Sequence, residues 1–328
     1  MKIKKRYVIP AVLLGALLLG PRASFEPVGE THLASPAPLE TVEAFVAERE
    51  AEVANLKPDN QGRIVWADSV RKTPYSVVYL HGFSASPMEG DPMIFEIAQH
   101  YGANLYAPRL PQHGIGGDSI FADLTPKMLI DAGAEALAIG RELGERIILV
   151  SCSTGSTLGN YVASQHPGLV AAHVMYSPNF ALSSGAAALM NGPWGKQLIR
   201  AIEGGEYHVW SDPTVAENDQ YWTTRYHNNG LIALQDLLEQ TMTEETFGRI
   251  DHPVFVGYYY RDEENKDGVV SIDAMKKYIE TVSTPADKKE LRAFAKVNEH
   301  VIASGLKSRD LPAVRAATFE FLERAIPQ

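Results

Sequence analysis

The sequence holds one short run of small polar residues in a setting suited to nucleophilic chemistry, from Ser151 to Gly155. The run follows an apolar stretch and precedes one with helical spacing, which predicts a tight turn from a strand into a helix. A serine hydroxyl in such a turn can act as a nucleophile, provided that the residues two positions before and after it are small. Centring the turn on Cys152 puts larger residues at those positions. Ser153 meets the requirement, so it is the candidate nucleophile, against the alternative of a polar helix cap.

A nucleophilic serine needs a base and an acid that orients the base. For this strand–turn–helix arrangement the chain order is serine, acid, histidine. His300 follows the last predicted strand, Val254–Tyr259, and is the candidate base. Asp262 and Asp267 both follow that strand and are the alternatives for the orienting acid, but their local surroundings differ. Asp267 stands on a short turn before a helix and is favoured, whereas Asp262 lies in a longer acidic loop and could be solvated or bind a cation.

A second strand end could supply hydrogen-bond donors to a negatively charged reaction intermediate. The apolar stretch Ser76–Leu80 runs into His81, Gly82 and Phe83. We expect the backbone N–H groups of Phe83 and Thr154 to stabilise an oxyanion, because donors at a strand end and at a helix N-terminus can converge there. His81 itself is expected to be a structural residue of the core.

The elements that must position these residues alternate along the chain from residue 63 onward. Short apolar runs alternate with helical stretches, which is typical of an α/β fold with a mostly parallel sheet covered by helices. Ligands bind at the strand-end loops of such sheets. The predicted strands are Arg63–Ala67, Ser76–Leu80, Asn104–Ala107, Arg146–Val150, Ala172–Tyr176 and Val254–Tyr259. The predicted helices are Leu39–Leu56, Met93–Tyr101, Pro126–Leu143, Gly155–Gln165, Ser271–Val282 and Leu311–Ala325.

Composition excludes several classes of function. The 328 residues are 45% hydrophobic, which is typical of a folded globular protein and too apolar for a disordered one. A single cysteine excludes a disulfide framework within the chain and any multi-cysteine metal site. The formal charge of −10 argues against nucleic acid or anionic lipid as the main partner. A small-molecule substrate remains the expected partner.

The N-terminus differs in character from the rest of the chain. Residues 1–23 combine a basic cluster with a 14-residue uncharged run, Tyr7–Gly20, which is short of the ~20 residues of a straight membrane-spanning helix. This pattern predicts an export signal or an N-terminal membrane anchor, so the protein is expected to be exported or tethered. Without the five cations of residues 1–23, the chain's −10 becomes −15 on the remainder. Residues 24–61 are expected to form a linker and the helix Leu39–Leu56.

These motifs together resemble the α/β-hydrolase fold serine hydrolases, close to the carboxylesterase and monoacylglycerol lipase branch. The resemblance covers roughly residues 62–328. It implies that Ser153 is the nucleophile, His300 the base and Asp267 the orienting acid, with no metal or organic cofactor. The motifs that carry it are His81-Gly82-Phe83, Pro111-Gln112-His113-Gly114, Ser151–Gly155, Asp267-Gly268-Val269-Val270 and His300.

The resemblance further implies a helical cap inserted at about residues 180–248, which would wall an acyl- or aryl-binding pocket. The expected activity is cleavage of small acyl esters or monoacylglycerol-like lipids through an acyl-enzyme. The same three residues also serve thioesterases, peptidases, lactonases and acyltransferases, which stay open as alternatives. A non-catalytic binding protein that retains the fold is the remaining alternative, although binding alone requires none of the three residues.

Overall fold

The computed structural model describes residues 19–210 and 216–326. Within them the strands are β1 Arg63–Val65, β2 Thr73–Leu80, β3 Asn104–Ala107, β4 Gly144–Cys152, β5 Val170–Tyr176, β6 Tyr207–Val209, β7 Arg225–His227, β8 Val254–Tyr259 and β9 Lys289–Phe294. Seven of these described strands form one sheet in the order β1-β3-β2-β4-β5-β8-β9. Only β1 runs antiparallel to its neighbour in that sheet. The short strands β6 and β7 form a separate antiparallel pair.

Helices follow most of the strands of the large sheet. Their bounds in the described residues are α1 Val42–Ala51, α2 Met93–Tyr101, α3 Pro126–Leu143, α4 Thr154–Gln165, α5 Gly195–Glu203, α6 Ala216–Tyr221, α7 Asn229–Thr241, α8 Glu244–Gly248, α9 Ile272–Thr281 and α10 Leu311–Ala325. None of the helices in this part of the chain is long and apolar enough to cross a membrane. The predicted export or anchor segment lies outside the described residues, except for residues 19–23.

The sheet has a hydrophobic core on each face. Successive residues of β2 alternate between the two cores: Val78 and Leu80 pack with α3, α4 and α9, whereas Val77 and Tyr79 pack with α2 and α10. Side chains of a strand alternate between faces, so a strand covered on both sides must be apolar at every position. This explains the uninterrupted apolar runs from which the central strands were predicted.

The topology brings the candidate site residues to one edge of the sheet. Strands β2 and β4 are parallel neighbours with Leu80 opposite Ser151, so the loop after β2 lies beside the turn after β4. The loop after β8 carries Asp267, and the segment after β9 carries His300. The carboxyl ends of these parallel strands meet at one edge, where α/β sheets bind ligands.

Several predicted elements match the observed ones closely. The strands Asn104–Ala107 and Val254–Tyr259 and the helices Met93–Tyr101, Pro126–Leu143 and Leu311–Ala325 have the predicted bounds. The strands β2, β4 and β5 are longer than predicted by two or three residues at an end. The first strand is shorter and ends at Val65.

Other regions differ from the prediction. Strand β9 was missed because three of its six residues are charged and it lies at the sheet edge, where one side of the strand faces solvent. The helix predicted over Leu39–Leu56 is confined to α1, because the chain turns after residue 52 and Leu56 pairs with Ile115 in an isolated bridge.

The segment of about residues 180–248, predicted to be a helical cap, contains more than helices. It includes a 3₁₀ helix at Gly185–Asn191 and the helices α5 to α8. The paired strands β6 and β7 were not predicted, since each has only three residues.

Candidate active site

Ser153 stands at the turn between β4 and α4 in a strained backbone conformation. Its φ is 49° and its ψ is −117°, a region that residues with a side chain rarely adopt. Its N–H donates to the carbonyl of Tyr176 at 3.0 Å, and its own carbonyl accepts from the N–H groups of Ser156 and Asn179, each at 3.0 Å. These three bonds hold the strained residue in the wall of the cavity that it lines.

The small residues around Ser153 are required by close backbone approach. A Cβ on Gly155 would lie 1.9 Å from the carbonyl oxygen of Leu80, so no side chain fits there. Ser151 is fully buried, and its hydroxyl lies 2.8 Å from both Ser156 Oγ and His173 Nε2. A serine is therefore accommodated at this position, two residues before Ser153, because its hydroxyl has buried partners.

His300 and Asp267 form a direct pair. His300 Nδ1 lies 2.7 Å from Asp267 Oδ2, and the Asp267 side chain is fully buried. The other carboxylate oxygen of Asp267 accepts from the N–H groups of Val269 at 2.8 Å and Val270 at 3.3 Å. The turn predicted from the sequence therefore points one oxygen at the backbone and the other at the imidazole.

The pair shifts the pKa values of both side chains. Burial alone would raise the Asp267 pKa, but the imidazole of His300 and the two backbone donors outweigh it, and the Asp267 pKa lies below its ordinary value. Burial alone would lower the His300 pKa, but the carboxylate of Asp267 outweighs it, and the His300 pKa lies above its ordinary value. The geometry suits an aspartate that stabilises the imidazolium.

Asp262, the alternative acid, lies elsewhere and has other partners. It is exposed, and one of its oxygens accepts from the N–H groups of Glu264 and Asn265 and from the Asn265 side chain at 2.7–3.1 Å. The structure thus brings Asp267, and not Asp262, to His300.

Ser153 and His300 line one cavity of about 430 Å³. Its walls are largely apolar and aromatic, with contributions from the loop after β2, from α7 and from the segments around β6 and β7. The apolar lining residues are Phe83, Leu182, Trp210, Trp222, Tyr226, Leu231, Leu234, Val269 and Val301. A cavity of this size and lining accommodates a hydrophobic small molecule next to the serine.

The two predicted oxyanion donors also belong to this cavity wall. Phe83 is held by its ring, which packs against Phe121 at 4.7 Å and Tyr226 at 5.5 Å between centroids. Neither the Phe83 N–H nor the Thr154 N–H donates to an acceptor in residues 19–210 or 216–326. Within the described residues, both N–H groups are thus free to bind an acceptor in the cavity beside Ser153.

His81 has the structural contacts expected of a core residue. Its Nδ1 lies 2.9 Å from the Gly82 carbonyl and its Nε2 accepts from the Leu110 N–H at 3.0 Å. Complete burial lowers its pKa to about 4, so the ring is neutral and orders the loops after β2 and β3.

Sequence reasoning missed Glu89, a buried carboxyl group in the cavity wall. It lies in the 3₁₀ helix Pro87–Gly90, and its Oε2 accepts from the Gly82 N–H at 2.7 Å and from the Tyr79 hydroxyl at 2.9 Å. No pattern in the sequence separates Glu89 from its neighbour Asp91, which is why it was not singled out.

Cys152, the chain's single cysteine, is buried immediately before Ser153. Burial, together with the nearby Glu89, raises the pKa of its thiol well above the ordinary value, so it is a poor nucleophile. Among the described side chains, no group of three or more His, Cys, Asp or Glu residues could hold a metal ion.

The profile of the alpha/beta hydrolase family matches residues 77–303 of the sequence, which span all the site residues above. The chain belongs to this family. The fold class predicted from the motifs is therefore confirmed, and the observed sheet has the mostly parallel order expected of it.

Several solved structures resemble this one at low sequence identity. A structure from work on the metagenome-derived lipolytic enzymes LipS and LipT has a TM-score of 0.62 at 17% identity, covering 82% of this chain and 99% of that one. The monoacylglycerol lipase of Paleococcus ferrophilus has a TM-score of 0.55 at 17% identity, covering 80% and 97%. Est1E from Butyrivibrio proteoclasticus, with ferulic acid bound, has a TM-score of 0.52 at 16% identity, covering 82% and 96%. No curated protein sequence matches the chain.

Proposed function

We propose that this alpha/beta hydrolase is a serine hydrolase that cleaves carboxylic esters, with Ser153 as nucleophile, His300 as base and Asp267 as orienting acid. The observation that carries the proposal is the 2.7 Å pair of His300 and Asp267 facing the cavity that also holds the strained Ser153. Binding alone would need neither a buried carboxylate paired with an imidazole nor a serine held at positive φ.

The reaction follows from these positions. The imidazole Nε2 of His300 takes the proton of the Ser153 hydroxyl as the oxygen bonds to the ester carbonyl carbon. The N–H groups of Phe83 and Thr154 stabilise the negatively charged oxygen of the tetrahedral intermediate, and Asp267 stabilises the imidazolium. The carbon–oxygen bond to the alcohol breaks, and the alcohol leaves with the proton from His300. Water, activated in turn by His300, hydrolyses the acyl-enzyme and regenerates the serine.

The proposed substrates are small acyl esters or monoacylglycerol-like lipids with an apolar acyl or aryl group. The apolar and aromatic wall of the cavity supports this choice, since such a wall binds hydrocarbon groups and excludes water. Lipolytic enzymes, a monoacylglycerol lipase and a ferulic-acid-binding esterase among the similar structures support it further.

Hydrolysis of p-nitrophenyl esters tests the activity directly. We expect the wild type to hydrolyse a short-chain ester, Ser153→Ala to be inactive, and Ser283→Ala to match the wild type. Ser283 is a suitable control because it is exposed and bonds only to the Gly248 carbonyl. Hydrolysis of esters by Ser153→Ala at the wild-type rate would contradict the proposal.

A second assay separates the proposed substrates from the other acyl-transfer activities of the fold. Glycerol monoesters and simple esters of C2 to C16 acids would be compared side by side with thioesters, lactones and peptide amides. We expect the highest kcat/KM with oxygen esters. A kcat/KM higher for thioesters, lactones or amides would reassign the substrate class while leaving the roles of Ser153 and His300 in place.

We further propose that the N-terminal segment directs export or anchors the protein to a membrane. The basic cluster and the apolar run before Pro21 support this. Fractionation of cells that express the full chain, with the N-terminal mass of the product, tests it. A soluble cytoplasmic protein with an intact N-terminus would contradict it.

A further inference from the structure

Glu89 is a buried acidic group next to the proposed nucleophile that the mechanism above does not use. It is only 3% exposed, although it lines the cavity wall. Buried carboxyl groups are costly unless hydrogen bonds compensate them, so their partners indicate what they do. Here one oxygen, Oε2, accepts from both the Gly82 N–H and the Tyr79 hydroxyl.

The carboxyl group lies next to both segments that supply the proposed oxyanion donors. Gly82 is bonded to Phe83, whose N–H is one proposed donor. On the other side, Cys152 precedes Ser153, and burial together with the nearby Glu89 carboxyl group raises the pKa of its thiol. Glu89 therefore lies between the loop after β2, which it binds through the Gly82 N–H, and the turn after β4.

The packing between these parts leaves little room for other arrangements. A Cβ on Gly82 would lie 3.0 Å from Glu89 Oε1 and 3.3 Å from Ser153 Cβ. The loop backbone is thus enclosed between the carboxyl group and the nucleophile. The His81–Gly82 peptide therefore cannot rotate without breaking the bond from the Gly82 N–H to Glu89.

We propose that Glu89 is a positioning residue, which holds the His81–Gly82 peptide by its N–H and thereby orients the next peptide, so that the Phe83 N–H faces the cavity at the correct distance from the Thr154 N–H. The inference rests on the proposed function, since it concerns the same oxyanion site. An acceptor is needed at this point because the Gly82 N–H is buried, and a hydrophobic residue in place of Glu89 would leave that N–H without a partner.

The carboxyl group also acts on the base through space. Burial tends to lower the His300 pKa and Asp267 raises it most, while Glu89 and Glu299 add to the rise. Burial raises the pKa of Glu89 itself, against the hydrogen bonds from Gly82 and Tyr79 and the nearby His300. Replacing Glu89 by a neutral residue should therefore lower the His300 pKa and move the acid limb of kcat/KM to lower pH.

Three variants test the positioning role. Glu89→Ala removes the acceptor, and we expect kcat to fall about 100-fold per titrated active site with KM changed by less than about threefold, since lost oxyanion donors act on kcat. Glu89→Gln keeps an oxygen that can accept from Gly82, and we expect it to restore most of the lost rate. Tyr79→Phe removes the other partner of the same oxygen and controls for a general loss of packing, with kcat within about threefold of wild type.

Hydrogen–deuterium exchange gives a readout that needs no ester hydrolysis. We expect exchange in the peptide that holds residues 81–85 to rise in Glu89→Ala and to stay at the wild-type level in Glu89→Gln and Tyr79→Phe. Failure of the proposed function would show as an inactive wild type with this exchange pattern intact, so the two failures are distinguishable.

Three results would overturn the inference. The first is unchanged exchange in Glu89→Ala, and the second is an equal loss of kcat in Tyr79→Phe and Glu89→Ala. The third is a loss of about 100-fold in Glu89→Gln with normal exchange, which would assign Glu89 to proton transfer instead of positioning. If Glu89→Ala does not fold, Glu89→Gln decides: retained kcat with an acid limb at lower pH supports the inference, and a lost kcat contradicts it.

Discussion

Asp262 and Asp267 stand five residues apart in the sequence, yet their surroundings differ in kind. Asp262 is exposed and its oxygen closes a local turn with Asn265. Asp267 is buried, receives two backbone N–H groups and faces His300. The sequence favoured Asp267 because a short turn before a helix limits where a carboxylate can point. The contact with His300 was not predictable from local pattern, because it joins segments 33 residues apart across the edge of the sheet.

The first prediction concerns this acid. Asp267→Asn should lower kcat by about 10⁴-fold, since the amide favours the wrong imidazole tautomer and no longer stabilises the imidazolium. His300 must be neutral to act as base and its pKa is raised chiefly by Asp267 against burial, so kcat/KM of the wild type should fall as the pH drops through that raised value. The acid limb of the variant's remaining activity should move to lower pH, because the His300 pKa falls when the carboxylate is removed. The exposed Asp262→Asn is the control and should match the wild type in both kcat and pH profile.

At the scale of elements, the site depends on strand ends that the sequence predicts well and on connections that it predicts poorly. The strands β2, β4 and β8 are apolar on both faces, so their positions follow from composition alone. The edge strand β9 leads to the segment that carries His300. Its charged residues break the apolar pattern by which a strand is predicted. The 3₁₀ helix with Glu89 has no periodic pattern, since it has only four residues.

The second prediction tests the turn between β4 and α4. Gly155→Ala should abolish hydrolysis and reduce the free energy of unfolding by about 3 kcal/mol or more, because the new Cβ would lie 1.9 Å from a backbone oxygen of the central strand β2. Gly185→Ala is the matched control, since no heavy atom lies within 4 Å of its Cβ position. Urea unfolding measures the free energy of unfolding of the two variants. Equal stability of the two variants would show that Gly155 does not approach the backbone of β2 this closely.

The third prediction tests the wall of the cavity formed by α7. Leu231→Trp should fill part of the cavity and lower kcat/KM for decanoate esters by about tenfold or more, while acetate esters change by less than about threefold. Glu239→Trp places the same side chain at an exposed position of α7 and should leave the chain-length profile unchanged. A parallel loss with both ester lengths in Leu231→Trp would mean that the acyl group binds elsewhere.

At the scale of the whole molecule, the N-terminal helix α1 is joined to the hydrolase core by a buried ion pair. Arg109 Nε donates to Glu50 Oε2 at 2.7 Å, and Arg109 Nη1 donates to the carbonyl of His113 at 3.0 Å. The side chains of Arg109 and Glu50 are 10% and 6% exposed. The sequence predicted a helix in this region, but not the ion pair, because the partners are 59 residues apart.

The fourth prediction follows from the burial of that pair. Glu50→Ala should reduce the free energy of unfolding by about 3–5 kcal/mol, since it leaves the Arg109 guanidinium buried without its partner. Lys127→Ala breaks the exposed pair with Asp131 and should cost less than about 0.5 kcal/mol. Chemical denaturation gives the loss in free energy of unfolding for each of the two variants. A small loss in Glu50→Ala would mean that α1 is not docked as observed.

The most direct test of the whole account is the site of covalent labelling by a fluorophosphonate probe, read by peptide mass spectrometry. Only an activated serine beside an oxyanion site reacts rapidly with such a probe. We predict one adduct per chain in the wild type, located on Ser153, and none in Ser153→Ala. An adduct on another residue, equal labelling of both proteins or an unreactive wild type would contradict the assignment of Ser153 as nucleophile.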